Sequence, residues 1–382
     1  VLLSDIIMNK LSNKPIKTVV VVGGGIAGWL TAGRLAADHK SNTDTGLNVI
    51  LVESANVAPI GVGEGTWPTM RSTLMALGIS ETDFIRECDA SFKQGAKFAK
   101  WLDGSEDDFY YHPLVLPQGF SQGDLAPYWL NKGAGNNNSF SQAVCFQEAI
   151  CEQGLAPKQI TTPEYASVAN YGYHLNAGKF AALLQKHCLK KFNVKHIVDD
   201  VINVNSAQNG DIASVTTKNN GGISGDLFID CSGFASILLG EHYKVPFIEQ
   251  HDTLFVDQAL AVQLPYQDEQ SPIATTTQST AMPAGWIWDI GLQSRRGMGY
   301  VYSSRHISEI DAEAQLMNYL GQDSAKADIS KIKIKAGHRS HPWEKNCVAI
   351  GLSAGFLEPL EASSLVQVEL SADWLCQQLP AT

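Results

Sequence analysis

Thr18-Val19-Val20-Val21-Val22-Gly23-Gly24-Gly25-Ile26-Ala27-Gly28 is a β-branched run that stops in glycines, and Trp29 to Ala37 continue from it with helical spacing. The pattern reads as strand, tight turn and helix. Gly23, Gly25 and Gly28 satisfy G-x-G-x-x-G, in which the glycines serve separate ends, one the tight turn, one the close approach of backbone to a pyrophosphate, and one the close packing of helix on strand. The helix opening at Ile26 and Ala27 offers N–H groups and a positive dipole to phosphates. A second apolar strand, Leu47 to Val52, ends at Glu53, near the position where a ribose-binding acid is expected. A complete βαβ unit with a bound dinucleotide follows, so the fold class is α/β, Rossmann-like.

Outward from this unit, residues 102–163 are rich in Asn, Gly, Pro and aromatics without sustained periodicity, which suggests long loops and short helices over a site. Phe180 to Phe192 has the spacing of an amphipathic helix. Val194 to Asn205, Ile212 to Lys218 and Leu227 to Asp230 read as strands parted by Asn-Gly and Gly-Gly turns. Residues 242–332 are expected to form a second, mainly antiparallel β layer facing the substrate. Cys347 to Ile350 reads as a last strand, followed by a loop over Gly351–Ala362 and a helix from Ser363 to Leu379. The nucleotide-binding domain is therefore discontinuous, comprising 15–100, 165–240 and 335–382, and 101–164 with 241–334 form the substrate-side region.

The chain has 382 residues, enough for about two or three units and a sizeable buried site. A formal net charge of -11 argues against nucleic acid or an anionic membrane as partner and for a small molecule. The seven cysteines form no CxxC pair and read as free thiols of a cytoplasmic protein, with no metal site expected. The apolar opening is too short for a signal peptide, and no apolar run reaches membrane-spanning length.

Two further segments, Ile229-Asp230-Cys231-Ser232-Gly233-Phe234 and Ala349-Ile350-Gly351-Leu352-Ser353, return to the nucleotide domain. They resemble the flavoprotein hydroxylase group, in which such segments touch FAD; the resemblance brings Asp230, Gly233 and Gly351 to the cofactor. Only one G-x-G-x-x-G is present, so a nicotinamide domain is not seen and a separate flavin reductase is expected to supply reduced FAD.

Four stretches, in order, then resemble the flavin-dependent tryptophan halogenase family: Ile60-Gly61-Val62-Gly63-Glu64-Gly65-Thr66-Trp67-Pro68, Phe92-Lys93-Gln94-Gly95, Gly285-Trp286-Ile287-Trp288-Asp289-Ile290 and Phe356-Leu357-Glu358-Pro359-Leu360-Glu361. The resemblance implies a halogenase that uses FADH2, oxygen and chloride or bromide to form hypohalous acid, delivered through Lys93 to an electron-rich ring. An ammonium could sharpen the electrophile by hydrogen bonding, and a neutral amine could carry it as a haloamine. Taken without its flanking motifs, Lys93 would read as a surface cation like Lys97 and Lys100.

By motif position Glu361 is the second essential residue, orienting the electrophile or accepting the ring proton, with Glu358 as its rival. Val62, Gly63 and Glu64 join the cofactor set. Backbone amides of Ser363 and Ser364, at the start of the last helix, would hold the halide. Trp286 and Trp288 share one face of a strand and wall substrate from flavin, and core packing alone would also account for them. His112 and Leu114 match the substrate site.

The family pattern is broken on the substrate and halide side. Leu114 replaces a phenylalanine, Gly291 replaces a proline, and Ala362-Ser363-Ser364 stands for Ser-Thr-Gly. Family members also carry a C-terminal helical extension that recognises the amino-acid end of tryptophan and is absent from these residues, so indole or a related aromatic joins tryptophan as an expected substrate. An aromatic monooxygenase and a flavin-binding protein without turnover are the alternatives, and a homodimer is left open.

Overall fold

The computed structural model describes residues 15–57, 63–131, 138–268 and 270–379. Thr18–Val22 sits inside a six-stranded sheet in the order Trp343–Glu344, Cys347–Ala349, Leu227–Asp230, Thr18–Val22, Asn48–Glu53, Lys195–Val198. All neighbours pair in parallel except the Trp343–Glu344 edge. Val19 and Val21 enter a core with residues of the helices Ile26–Asp38, Ala177–Phe192 and Ser363–Gln378. Val20 and Val22 enter another with Ile212, Val215 and Ile223. Burial on both faces explains why this strand is a continuous apolar run rather than an alternating one.

The substrate-side layer is a seven-stranded sheet in the order Ser330–Lys333, Gln258–Pro265, Arg295–Tyr302, Gly285–Gly291, Thr277–Met282, Gly95–Ala99, Phe109–Pro113. It is antiparallel but for one contact, Thr277–Met282 beside Gly95–Ala99, which run parallel. One face, with Leu260, Ile287 and Tyr300, is covered by the helix Glu309–Leu320 through Ala312 and Leu316. The other carries Ala259, Trp286 and Val301 and packs against Phe356 and Leu360. Period-two alternation thus puts Trp286 and Trp288 on one side and Ile287 on the other.

The two layers meet at a small sheet in which Gly172–Asn176 lies between Gly63–Gly65 and Ser91–Lys93, antiparallel to both. Lys93 ends its strand in this sheet, and Gly95 begins one in the seven-stranded sheet, with only Gln94 between. Gln94 is fully buried; its backbone N–H donates to Thr275 O at 2.6 Å and its carbonyl accepts from Leu114 N at 3.2 Å.

Two expectations need correction. Val194–Asn205 is not one strand: Lys195–Val198 joins the parallel sheet, and Val201–Ser206 starts a separate meander with Ile212–Thr217 and Gly221–Ser224. The break falls at Asp199, whose carboxylate accepts the backbone N–H groups of Asn219 and Asn220, both at 2.8 Å, and so ties the bend to the far hairpin. Within 102–163, beside short helices at Ala126–Leu130, Phe140–Val144 and Gln147–Glu152, the strand Phe109–Pro113 was not expected. Its partner Gly95–Ala99 supplies the ladder that its own composition does not announce. All seven cysteines are free thiols. Among the described residues no helix is long and apolar enough to cross a membrane.

Candidate functional site

At the glycine turn, backbone leaves no room for side chains where the chain folds on itself and ample room where a ligand would lie. Gly23 has φ +118°, and a Cβ there would lie 2.1 Å from Cys231 O; one on Gly28 would lie 1.8 Å from Gly23 O. Both are overlaps that no side chain survives. A Cβ on Gly25 or Gly233 would meet nothing within 4 Å. The helix beginning at Ile26 has no side-chain cap, which leaves its first N–H groups free for an anion. Gly351, with φ +76°, brings the late strand's end against Ala27 of the same turn. The cradle fits a dinucleotide pyrophosphate.

Two acids expected at this cofactor are engaged with protein. Glu53 Oε1 lies 2.8 Å from His196 Nε2 and accepts from Gln185 Nε2 at 3.3 Å, its other oxygen lying against Gly24. Asp230 is fully buried and accepts Leu238 N at 3.0 Å, Leu239 N at 2.8 Å and Ser232 Oγ at 2.5 Å. It shapes the Cys231–Ser236 bend from below, leaving Gly233 to face the open side. Gly63 and Glu64 lie on the strand Gly63–Gly65, and Val62 falls outside the described residues.

Lys93 is 5% exposed and makes no ion pair among the described residues, unlike Lys97, which pairs with Glu152 at 2.8 Å, and Lys100, which pairs with Glu106. Burial pushes its ammonium down to about 8, against the opposing pull of Glu361. Glycines lie on the other two strands of its sheet, and Gly65 makes space for its amine. Gly172 is its register partner, and a Cβ on Gly65 would stand 3.1 Å from Lys93 Nζ and 3.2 Å from Ala362 Cβ. Lys93 therefore reaches the Glu361–Ser364 corner across bare backbone.

Glu361 lies 3.3 Å (Oε1) from His112 Nδ1, and that hydrogen bond, with lesser help from the charges of His112 and Lys93, holds its carboxyl below the usual range. The same bond raises His112. Glu358 turns into its own loop, accepting Leu360 N at 3.3 Å, and burial raises it. Trp67 Nε1 donates to Glu361 O at 3.0 Å and so steadies the loop that presents the carboxylate.

A cavity of about 200 Å³ adjoins these groups at Gly65 and Ala362 and is lined also by Ser364, Thr277, Trp286 and Trp288 among others. Most of its wall is apolar with a few polar groups, as in small-molecule sites. Trp288 lies against Gly299, where a Cβ would come within 2.1 Å of the indole. Ser363 and Ser364 open the helix Ser363–Gln378, and Ala362 before them is left-handed at φ 53°. Leu114 follows the strand carrying His112, its carbonyl accepting from Asn170 Nδ2 at 2.8 Å.

The structure thus gathers Lys93, Glu361, His112, Ser364, Trp286 and Trp288 at one corner, and the glycine set at another. Sequence reading missed Gly65, Trp67, His174 and Thr277. Their signal is positional: pairing sets Gly65 beside His174 on the strand next to Lys93, Thr277 meets His174 from the larger sheet, and Trp67 reaches the Glu361 loop.

The tryptophan halogenase sequence profile matches residues 18–382. Tryptophan 6-halogenase SttH of Streptomyces toxytricini is 34% identical over 382 residues, spanning 95% of this chain and 72% of that protein. Tryptophan 7-halogenase RebH of Lentzea aerocolonigenes is 32% identical over 380 residues, spanning 96% and 70%. The crystal structure of a tryptophan halogenase from Shewanella frigidimarina superposes with a TM-score of 0.91 at 53% identity, covering 97% of this chain and 72% of that one.

Proposed function

The chain belongs to the tryptophan halogenase family of flavin-dependent enzymes, and we propose that Lys93 and Glu361 are the groups through which it places chloride or bromide on tryptophan, indole or a related electron-rich aromatic. Membership disfavours the monooxygenase and the inert flavin-binding alternatives. The observation that supports these roles is a buried lysine with no ion pair among the described residues, set across Gly65 from the loop that carries Glu361.

FAD, reduced by a separate reductase, supplies with oxygen the oxidation of halide to hypohalous acid. The residues of this chain do the rest. Backbone at Gly23, Gly25 and Gly28, with the helix N-terminus at Ile26 and Ala27, holds the pyrophosphate. Backbone N–H groups at Ser363 and Ser364 hold the halide. Lys93, as an ammonium, donates to the oxygen of hypohalous acid and draws electron density from the halogen. As the ring carbon bonds the halogen, the O–X bond breaks, and the oxygen leaves as water with a proton from Lys93. Glu361 takes the ring proton, which can then return to the lysine, so the residues end as they began. Trp286 and Trp288 keep the ring on the far side of the cavity from the cofactor.

The test supplies enzymatically reduced FAD, oxygen, bromide and a panel of tryptophan, indole and other electron-rich aromatics, with mass spectrometry of the products from wild type and Lys93→Ala. Bromination by wild type alone is the expected result. Equal bromination by both would assign it to free hypobromous acid, and hydroxylated product would revive the monooxygenase.

A further inference from the structure

His174 is fully buried on the strand Gly172–Asn176, directly opposite Gly65 on one side and Ser91 on the other. Period-two alternation puts it on the face that carries Lys93 and Gly172. Its Nε2 lies 2.9 Å from Thr277 Oγ1, and its Nδ1 is buried with no partner among the described residues. Burial, reinforced by the Lys93 charge, drives its basicity far below the usual range, so the ring is neutral near neutral pH. Thr277, in turn, lines the cavity together with Ala362, Ser364 and Gly65, the last of which stands beside Lys93 Nζ.

A neutral imidazole carries one N–H. On Nδ1 that proton would be a buried donor with no acceptor, close to a cation that repels it. Orphaned N–H groups are rarer than orphaned acceptors. The favoured tautomer therefore has the proton on Nε2, donating to Thr277 Oγ1. Accepting this bond leaves the Thr277 hydroxyl its own proton to donate, and the open side of this residue is the cavity.

We propose that Thr277 is a hydrogen-bonding station for hypohalous acid on its way to Lys93, and that His174 is a positioning residue that holds the threonine hydroxyl with its proton toward the cavity. On a mostly apolar wall this donor gives the passing molecule a resting place and an orientation, oxygen to the wall and halogen free. The O–X bond stays intact there. The inference rests on the halogenase reading above.

The experiment pairs a delivery measurement with a spectroscopic one. With reduced FAD, bromide and a ring that wild type brominates, the share of oxidised bromide reaching the ring is compared with the share caught by monochlorodimedone in solution. Thr277→Val keeps the shape and removes the hydroxyl; delivery should fall by about 3–10-fold, the worth of one hydrogen bond, with a matching rise in leaked bromine equivalents. Thr277→Ser should restore delivery to within about twofold of wild type. Independently, 15N spectra of the protein without cofactor should show His174 protonated on Nε2 and not on Nδ1. Delivery by Thr277→Val equal to wild type, or an Nδ1-protonated His174, would overturn the station. Wild type that brominates none of the panel would overturn the halogenase reading and the station with it, whatever the tautomer.

Discussion

The surface at the glycine turn that would meet a cofactor is nearly all backbone: open space over Gly25 and Gly233, and the uncapped start of a helix. At the Lys93 corner the working surface is side chains from distant segments: the lysine from one strand, His112 from another, Glu361 from a late loop, and Trp286 and Trp288 from a third strand. The first region binds by shape and by dipoles that cost nothing to bury because the fold already fixes them. The second works through side-chain charges, of which Lys93 is held against a burial penalty. That difference predicts opposite responses to substitution: at the turn, changes should harm fold and binding together, whereas at the corner they should harm chemistry and spare or help the fold.

The largest effect is expected for Lys93→Met. Halogenation should drop by about 100-fold or more, as for loss of a proton-donating catalytic group. The protein should meanwhile gain about 1–3 kcal/mol at pH 7, since the buried cation, depressed to about 8, no longer has to be desolvated. Product assays and denaturant unfolding check both halves, and a less stable Lys93→Met would break the comparison. Gly28→Ala comes next: its Cβ would overlap Gly23 O, so stability should fall by about 2–3 kcal/mol and FAD affinity with it, read by thermal unfolding and flavin fluorescence.

The pH dependence sharpens the lysine's role. Below about 8 Lys93 is an ammonium in both folded and unfolded chains; between about 8 and 10.5 only the unfolded chain keeps the proton, so the burial penalty is relieved and stability rises with pH across that window. If delivery needs the ammonium, the halogenation step slows as pH rises through about 8; a haloamine route would quicken. Single-turnover rates across that range distinguish them. The smallest effect lies on the helix Ser363–Gln378, which both regions share. Burial raises its Glu369, bonded to Thr73 Oγ1 at 2.6 Å, to about 7. A folded value above the unfolded one means stability that is full below about 4.5 and lost as pH rises through about 7. Glu369→Gln should add about 1–2 kcal/mol at pH 8 and little at pH 5, seen in urea unfolding.

What the residues alone disclose divides along the same line. The turn was legible because each of its glycines answers a local steric demand, and local demands leave residue types at fixed spacing. Lys93 and Glu361 were legible only through the resemblance of their flanking motifs. Nothing near Glu53 in the chain announces His196 or Gln185, and nothing near Lys195–Val198 says that Asp199 will bend the strand out of its sheet to reach Asn219 and Asn220. His174 was silent for a further reason: a histidine two places past a glycine gains meaning only when pairing sets it opposite Gly65.

The passage from Lys93 through Gln94 to Gly95 also limits how this protein can change over evolutionary time. The strand on either side belongs to a different sheet, and Gln94 is pinned between them by its own backbone bonds. Gly95, at φ +151°, could not carry a side chain without striking His112 O, 2.3 Å from its would-be Cβ. An insertion or deletion of one residue here would slip the register by one and turn Lys93 to the opposite face, away from Gly65 and Glu361. Loops elsewhere can lengthen or shorten to admit new substrates, but this segment can vary only by substitution, so chain length across it should be the least variable among descendants that keep the chemistry.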